Sequence, residues 1–278
     1  MNFYFKNSRF FFICCFLLFF SGKVWGLERV YTFGVVPLFI PSQIHKYWIL
    51  LLNDLEKETG VKFELKHYKS LNDFESDLLS GKLDFAFVSV YHAIMAKSSQ
   101  GYIPLVRGKK PLIGILIVRK DSPYKKVKDL NGKKIGFPER NLFPGSIYMR
   151  AVLEEIFKIK YKALFLKTHD NVIRNVVLRK VDAGSTGIHH LARQPEEIRA
   201  SLRILYKTPP APPPPIIAHP RISSEIRNLF TETFLKLSKK KPLKDFFKIF
   251  PLEEPVKADY QRDYKPLEKF KLERYVFK

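Results

Sequence analysis

At 278 residues, 46% hydrophobic and 27% charged, the chain is long enough to be held by its apolar core alone, and a formal charge of +22 favours anionic partners. Both cysteines, Cys14 and Cys15, lie in an apolar run near the N-terminus, which excludes disulfides and thiolate chemistry from everything beyond it.

That run, Phe10 to Phe20, follows Lys6 and Arg9 and precedes Ser21-Gly22 and Val24-Trp25-Gly26. A charged start, a short apolar stretch and a small residue at the cleavage point make residues 1–26 a secretory signal peptide, its apolar run too short to span a bilayer. The mature chain is then periplasmic or otherwise extracytoplasmic, and loss of Lys6, Arg9 and Lys23 lowers the formal charge to +19. Export and the scatter of lysines through every segment argue against nucleic acid as a partner. Lys239-Lys240-Lys241 reads as a solvated helix end.

Leu27–Val36 alternates loosely and is rich in β-branched and aromatic residues, which predicts a strand. Pro37 and Pro41 end it, Ser42 can cap the next helix, and Ile44, Trp48, Leu51, Leu52 and Leu55 recur at helical spacing up to Gly60. Val61–His67 is a strand. Ser70 and Asp73 resemble a capping box for a helix with Leu71, Phe74 and Leu78 on one face. The apolar run Leu83–Val90 reads as a buried strand, with Tyr91-His92-Ala93 opening a helix. Alternation restarts with a strand at Leu112–Val118, a short helix closing at Asp129-Leu130-Asn131-Gly132, a strand at Lys134–Phe137 and a helix over Ile147–Phe157. Ala163–Lys167 is a strand and Asp170-Asn171 caps a helix. Val181–Ser185, a short helix over Gly187–Arg193 and Leu202–Tyr206 complete the series. Six prolines within Thr208–Pro215 form a stiff extended crossover. Ile216–His219 resumes a strand, Ser223–Leu237 and Pro242–Phe250 are helices, and the tail after Pro251 lacks periodicity and is expected to wrap the surface or fray.

This alternation predicts an α/β fold of two lobes, each a mostly parallel sheet flanked by helices. The expected division is 27–114 with 216–250 in one lobe, 115–215 in the other, and a tail over 251–278. A nucleophile elbow, a Walker loop, a dinucleotide glycine fingerprint and a zinc-binding helix are all missing, so neither enzyme chemistry nor a metal or cofactor is expected. Four strands instead end in loops with small or polar residues that start helices: Pro37–Ser42, Val88–Tyr91, Asn141–Ser146 and Thr168–Asn171. Helix starts carry partial positive charge, and open α/β sheets bind ligands beyond their strands' carboxyl ends, so a cleft between the halves is expected to hold an anion. The loop Glu139–Ser146 is expected to present free N–H groups there.

The pieces Leu83-Asp84-Phe85-Ala86-Phe87-Val88, Ile117-Val118-Arg119-Lys120-Asp121-Ser122-Pro123, Asp129-Leu130-Asn131-Gly132-Lys133-Lys134-Ile135-Gly136-Phe137, Thr168-His169-Asp170-Asn171-Val172-Ile173 and Val181-Asp182-Ala183-Gly184 occur in the order of a known family. From Tyr31 to about Leu237 the chain resembles the phosphate/phosphite/phosphonate-type solute-binding proteins of ABC transporters. The resemblance implies two lobes that close over an oxyanion and hand it to a membrane permease. It places the ligand against the loop after the first strand with Ser42, against Ser89 and Tyr91, against Asn141, Gly145 and Ser146, and against His169, Asp170 and Asp182. Ser146 would bind anionic oxygens, Tyr91 would donate a hydroxyl or stack, and Asp170 would accept a proton-bearing oxygen or an amine. Where the family's phosphonate binders carry a serine/threonine-rich turn, this chain has Leu142-Phe143-Pro144 before Gly145-Ser146, which points to a larger or less charged ligand. The alternative is a sensing subunit that reports ligand to a membrane kinase.

Overall fold

A computed structural model describes Met1 and residues 29–240 and 243–277. Apart from its first residue, the expected signal peptide lies outside the described residues.

The chain opens with β1 (Val30–Val35), α1 (Pro41–Thr59), β2 (Lys62–Lys66), α2 (Leu71–Leu79), β3 (Phe85–Phe87), α3 (Val90–Gln100) and β4 (Ile103–Arg107). Pro41 occupies the first turn of α1, where its missing N–H costs nothing, and this pulls the helix start ahead of Ser42. Ile40 is therefore the N-cap, with no side-chain cap bond, and Ser42 is an exposed first-turn residue. Gly60, at φ 72°, closes the helix in the left-handed conformation. Ile44, Trp48, Leu51, Leu52 and Leu55 are all buried, as their spacing requires. Ser70 accepts from the Asp73 N–H at the start of α2, as expected.

The second series is β5 (Gly114–Arg119), a short 3-10 turn (Val127–Leu130), β6 (Lys134–Phe137), α4 (Ile147–Ala151), β7 (Lys162–Phe165), α5 (His169–Val177), β8 (Ala183–Gly187), α6 (Ile188–Ala192), α7 (Glu196–Ala200) and β9 (Leu202–Lys207). The helix expected over Ile147–Phe157 is α-helical only to Ala151 and continues in wider π turns over Val152–Ile156. Thr168, not Asp170-Asn171, caps α5: its side chain accepts from the Asn171 N–H at 3.1 Å. The chain then returns through β10 (Pro215–Ala218), α8 (Ser224–Leu237), α9 (Lys244–Ile249) and β11 (Val256–Lys257).

Two sheets result, with strand orders β11-β4-β10-β3-β1-β2 and β7-β6-β8-β5-β9. Both are mixed rather than mostly parallel. β1 pairs in parallel with β2 and β3, and β6 with β7 and β8, but β10 runs antiparallel to β3 and β4, and β5 runs antiparallel to β8 and β9. The reason is connectivity: β5, β9 and β10 adjoin the crossings between sheets rather than belonging to a local strand–helix–strand unit. On β5 the side chains alternate between two cores, Leu116 and Val118 on one face, Ile115 and Ile117 on the other.

The two crossings pair with each other. Leu112 and Ala211 exchange both backbone hydrogen bonds, at 2.8 and 2.9 Å, and Thr208 N–H donates to the Gly114 carbonyl while its hydroxyl accepts from the Gly114 N–H. The tail is neither frayed nor loosely wrapped. It adds β11 to the first sheet and buries Tyr264, Leu267, Phe270, Leu272 and Tyr275 in the first core. Its end reaches the second sheet's helices, where Arg150 donates to the Tyr275 carbonyl and Asn141 exchanges hydrogen bonds with Phe277. No helix among the described residues is long and apolar enough to cross a membrane.

Candidate functional site

Strand direction puts four loop ends at the crossings. β3 ends beside Pro215, whose carbonyl accepts from the Val88 N–H, and β1 ends where the Val36 N–H donates to the Phe87 carbonyl. In the second sheet, Gly187 at the end of β8 lies opposite Gly114 at the start of β5, and β6 runs parallel to β8. A Cβ on Gly114 would lie 3.0 Å from the Pro144 carbonyl, so the 139–146 loop sits against the hinge itself.

On the first-sheet side, Ser89 is the N-cap of α3 but makes no cap bond. Its Oγ is 2.7 Å from His92 Nδ1, and His92 Nε2 is 3.0 Å from Glu75 Oε1 on α2. His92 is fully buried, and Ser89 and Glu75 nearly so. Burial, partly opposed by the Glu75 carboxylate, lowers the His92 pKa and keeps the ring neutral. The Tyr91 hydroxyl is buried and makes no well-formed hydrogen bond among the described residues, although the Ser89 side chain lies beside it; burial and the Glu75 carboxylate raise its pKa, so it remains a donor.

On the second-sheet side, Gly145, His169 and Thr186 meet. A Cβ at position 145 would lie 2.9 Å from His169 Cε1, so only glycine lets the ring approach. His169 Nδ1 is 2.9 Å from Thr186 Oγ1, and its ring stacks on His190 at 3.7 Å. Burial first, then neighbouring positive or imidazole groups, push His169 down to about 4 and His190 to about 3, so both are neutral at neutral pH. Tyr148, on α4, stacks on Phe143 at 5.2 Å, and its buried hydroxyl also lacks a partner, as does Ser185 Oγ on β8. Ile147, Tyr148, Ala151 and Val152 belong to the same buried cluster as Val88, Val90 and Tyr91, and the tail bridges them: Tyr148 packs edge-on against Phe270 at 5.0 Å.

Several expected site residues are placed differently. Ser146 is fully buried and its hydroxyl donates to the Arg140 carbonyl at 2.9 Å. The Ser146 and Ile147 N–H groups both donate to the Leu142 carbonyl, so this loop turns amides inward rather than presenting them free. Asn141 faces Phe277 of the tail, and Asp170, in the first turn of α5, is exposed and accepts from Gln194. Asp182 accepts from Tyr124 and from the Lys134 N–H at the opening end of β6, roughly 10 Å of strand away from the crossings. Ser89, Tyr91, Gly145 and His169 are thus the expected residues placed at the carboxyl ends of strands beside the hinge. Sequence reasoning missed His92, Glu75, Tyr148, Ser185 and Thr186. The Ser89–His92 spacing of three on one helix was the available signal; Glu75 and Tyr148 gave none.

A groove of about 410 Å³ is lined by Leu38, from the loop after β1, by Glu139, Arg140, Asn141 and Leu142, and by Phe277. Arg140 lies over the Phe277 ring at 4.5 Å. The groove's lining is part apolar and part charged, with Glu139 and Arg140 of opposite sign. Among the described residues, no three His, Asp, Glu or Cys side chains are placed to hold a metal.

Comparison with known proteins bears on family and fold. Residues 33–264 match a family model described as ABC transporter, phosphonate, periplasmic substrate-binding protein. The phosphonates-binding periplasmic protein of Escherichia coli K12 is 22% identical over 228 residues, 76% of this chain and 67% of that one. A Xanthomonas citri protein solved with ATP superposes at a TM-score of 0.71 and 16% identity, covering 89% of this chain and 99% of that one. PhnD1 of Prochlorococcus marinus, solved with methylphosphonate, gives 0.65 and 17%, covering 90% and 100%. At these identities the two structures establish the shared two-lobed fold.

Proposed function

The chain belongs to the phosphonate periplasmic substrate-binding family of ABC transporters, and from that premise we propose that it captures a small phosphonate-, phosphite- or phosphate-like oxyanion between its two sheets and delivers it to a membrane permease. The observation that carries this reading is a pair of buried hydroxyls, Tyr91 Oη and Tyr148 Oη, from opposite halves of the molecule, neither with a well-formed hydrogen bond among the described residues. A buried polar group without a partner is costly, and a ligand oxygen would satisfy it. Both phenols stay protonated because burial raises their pKa, so each can donate to an anionic oxygen. The imidazoles of His169 and His190 are neutral, so the anion would be held by hydrogen bonds rather than by a counter-charge. Phe143, stacked on Tyr148, offers apolar contact beside that hydroxyl, which suits an organic substituent on the oxyanion.

Native mass spectrometry of the purified protein tests this reading. A co-purified mass matching an organophosphonate or inorganic oxyanion, lost on unfolding, is the expected result. Protein that carries no such mass and binds none of methylphosphonate, phosphite or phosphate when they are added contradicts it.

A further inference from the structure

We infer that Glu75 and His92 lock the Ser89 hydroxyl as a hydrogen-bond acceptor toward the cleft, so that the site selects oxyanions carrying a proton over fully ionised ones. The inference rests on the solute-binding reading above and adds the protonation state of the ligand to it.

An ionised carboxylate can only accept, so the hydrogen between Glu75 and His92 sits on Nε2. In a neutral imidazole that leaves Nδ1 with a lone pair, which accepts the Ser89 O–H across 2.7 Å. The one proton of Ser89 is thereby committed inward, and only oxygen lone pairs remain, open to the neighbouring Tyr91 hydroxyl and to a ligand O–H approaching from the crossing. Two further observations support this. Ser89 occupies an N-cap position yet makes no cap bond, so the imidazole has drawn the hydroxyl away from the partner a capping serine ordinarily takes. The ring is also fixed on both sides, by Phe74 with centroids at 5.4 Å and by Tyr91 at 4.0 Å. Burial, which lowers the His92 pKa, disfavours the doubly protonated ring that would free the serine proton.

Ser89 stands at the carboxyl end of β3, next to Val88, whose N–H is bonded to Pro215 of the proline crossing. A ligand there that offers O–H would meet a built acceptor. One with only bare oxygens would face lone pairs with lone pairs. Glu75 and His92 need not touch ligand; they act as positioning residues through Ser89.

Methylphosphonate near pH 6 retains one proton, whereas methanesulfonate, of the same shape, has none. Calorimetric titration of the full protein with each should give a preference of about tenfold or more for methylphosphonate, the size of one hydrogen bond to a charged group. His92→Gln should keep that preference, because its amide must turn NH2 toward the carboxylate and oxygen toward Ser89. His92→Leu frees the hydroxyl to donate and should bring the ratio toward one; Ser89→Ala, a smaller change that keeps the readout should His92→Leu fail to fold, should do the same. A structural role alone would shift both ligands together and leave the ratio unchanged. Methylphosphonate binding without preference in the natural protein, or a ratio unchanged in Ser89→Ala, overturns the relay and leaves the solute-binding reading standing. Binding of neither probe, with phosphate also failing, overturns both.

Discussion

On the proposed reading, single residues beside the crossings decide what the cleft holds. Gly145 is there because the His169 ring occupies the space where a Cβ would go. Gly145→Ala should therefore displace His169 from Thr186 while leaving the core clusters intact. The expected outcome is a melting temperature within a few degrees of the natural protein and a loss of oxyanion affinity of about tenfold, measured by calorimetry beside a melting curve. Unchanged affinity would remove His169 from the site. At this scale the sequence was partly legible. Ser70 and Gly60 announced their caps because local chemistry alone decides those positions. Thr168 and Asp170 are both capping types, and only the direction of the chain leaving β7 selects the first. Asp182 has the composition of a site residue, but its position at the opening end of the strand emerges only from the parallel pairing of β6 with β8.

At the scale of elements, helices and buried strands with strong periodicity were readable, while whatever depends on distant pairing was not. β4, with Pro104 inside it, gives no strand signature; it exists because β10 and β11 pair with its two edges. The tail has no periodicity because each short turn buries one or two aromatic or leucine side chains against a surface made by other segments. Its anchor is Asp263, which accepts from Arg107 on β4 and from Arg262. Burial pushes the Asp263 carboxyl up, but the Arg262 and Arg107 guanidinium groups outweigh it and hold the pKa well below the ordinary range. A depressed folded-state pKa stabilises above the unfolded value, near 4, and that contribution disappears as pH falls toward the folded value. Limited acid proteolysis should thus cut the 256–277 segment increasingly below about pH 4. Arg107→Leu should make the segment susceptible at neutral pH as well. A tail equally resistant in both proteins at every pH would count against Asp263 as its anchor.

Across the whole molecule, two mixed sheets are joined by a paired hinge ribbon and tied again by the tail. The tail meets β4 through Asp263, the proline crossing through the Tyr264 hydroxyl and the Pro213 carbonyl, and the second half through Arg150 and Asn141. The alternation of strands and helices made the two-lobed fold legible, because each strand–helix–strand unit is local. Which halves of the cleft face each other was not, since it depends on crossings and on a tail that carries no motif. On the proposed reading, hydroxyls from both halves close on one oxyanion. Titration calorimetry of the natural protein and of Tyr91→Phe with methylphosphonate tests it most directly. The natural protein should bind one equivalent, and Tyr91→Phe should bind it with about 1.5–3 kcal/mol less free energy at an unchanged melting temperature, as expected for a lost hydrogen bond to a charged group. Equal affinity in the two proteins, or binding in neither, would contradict the account.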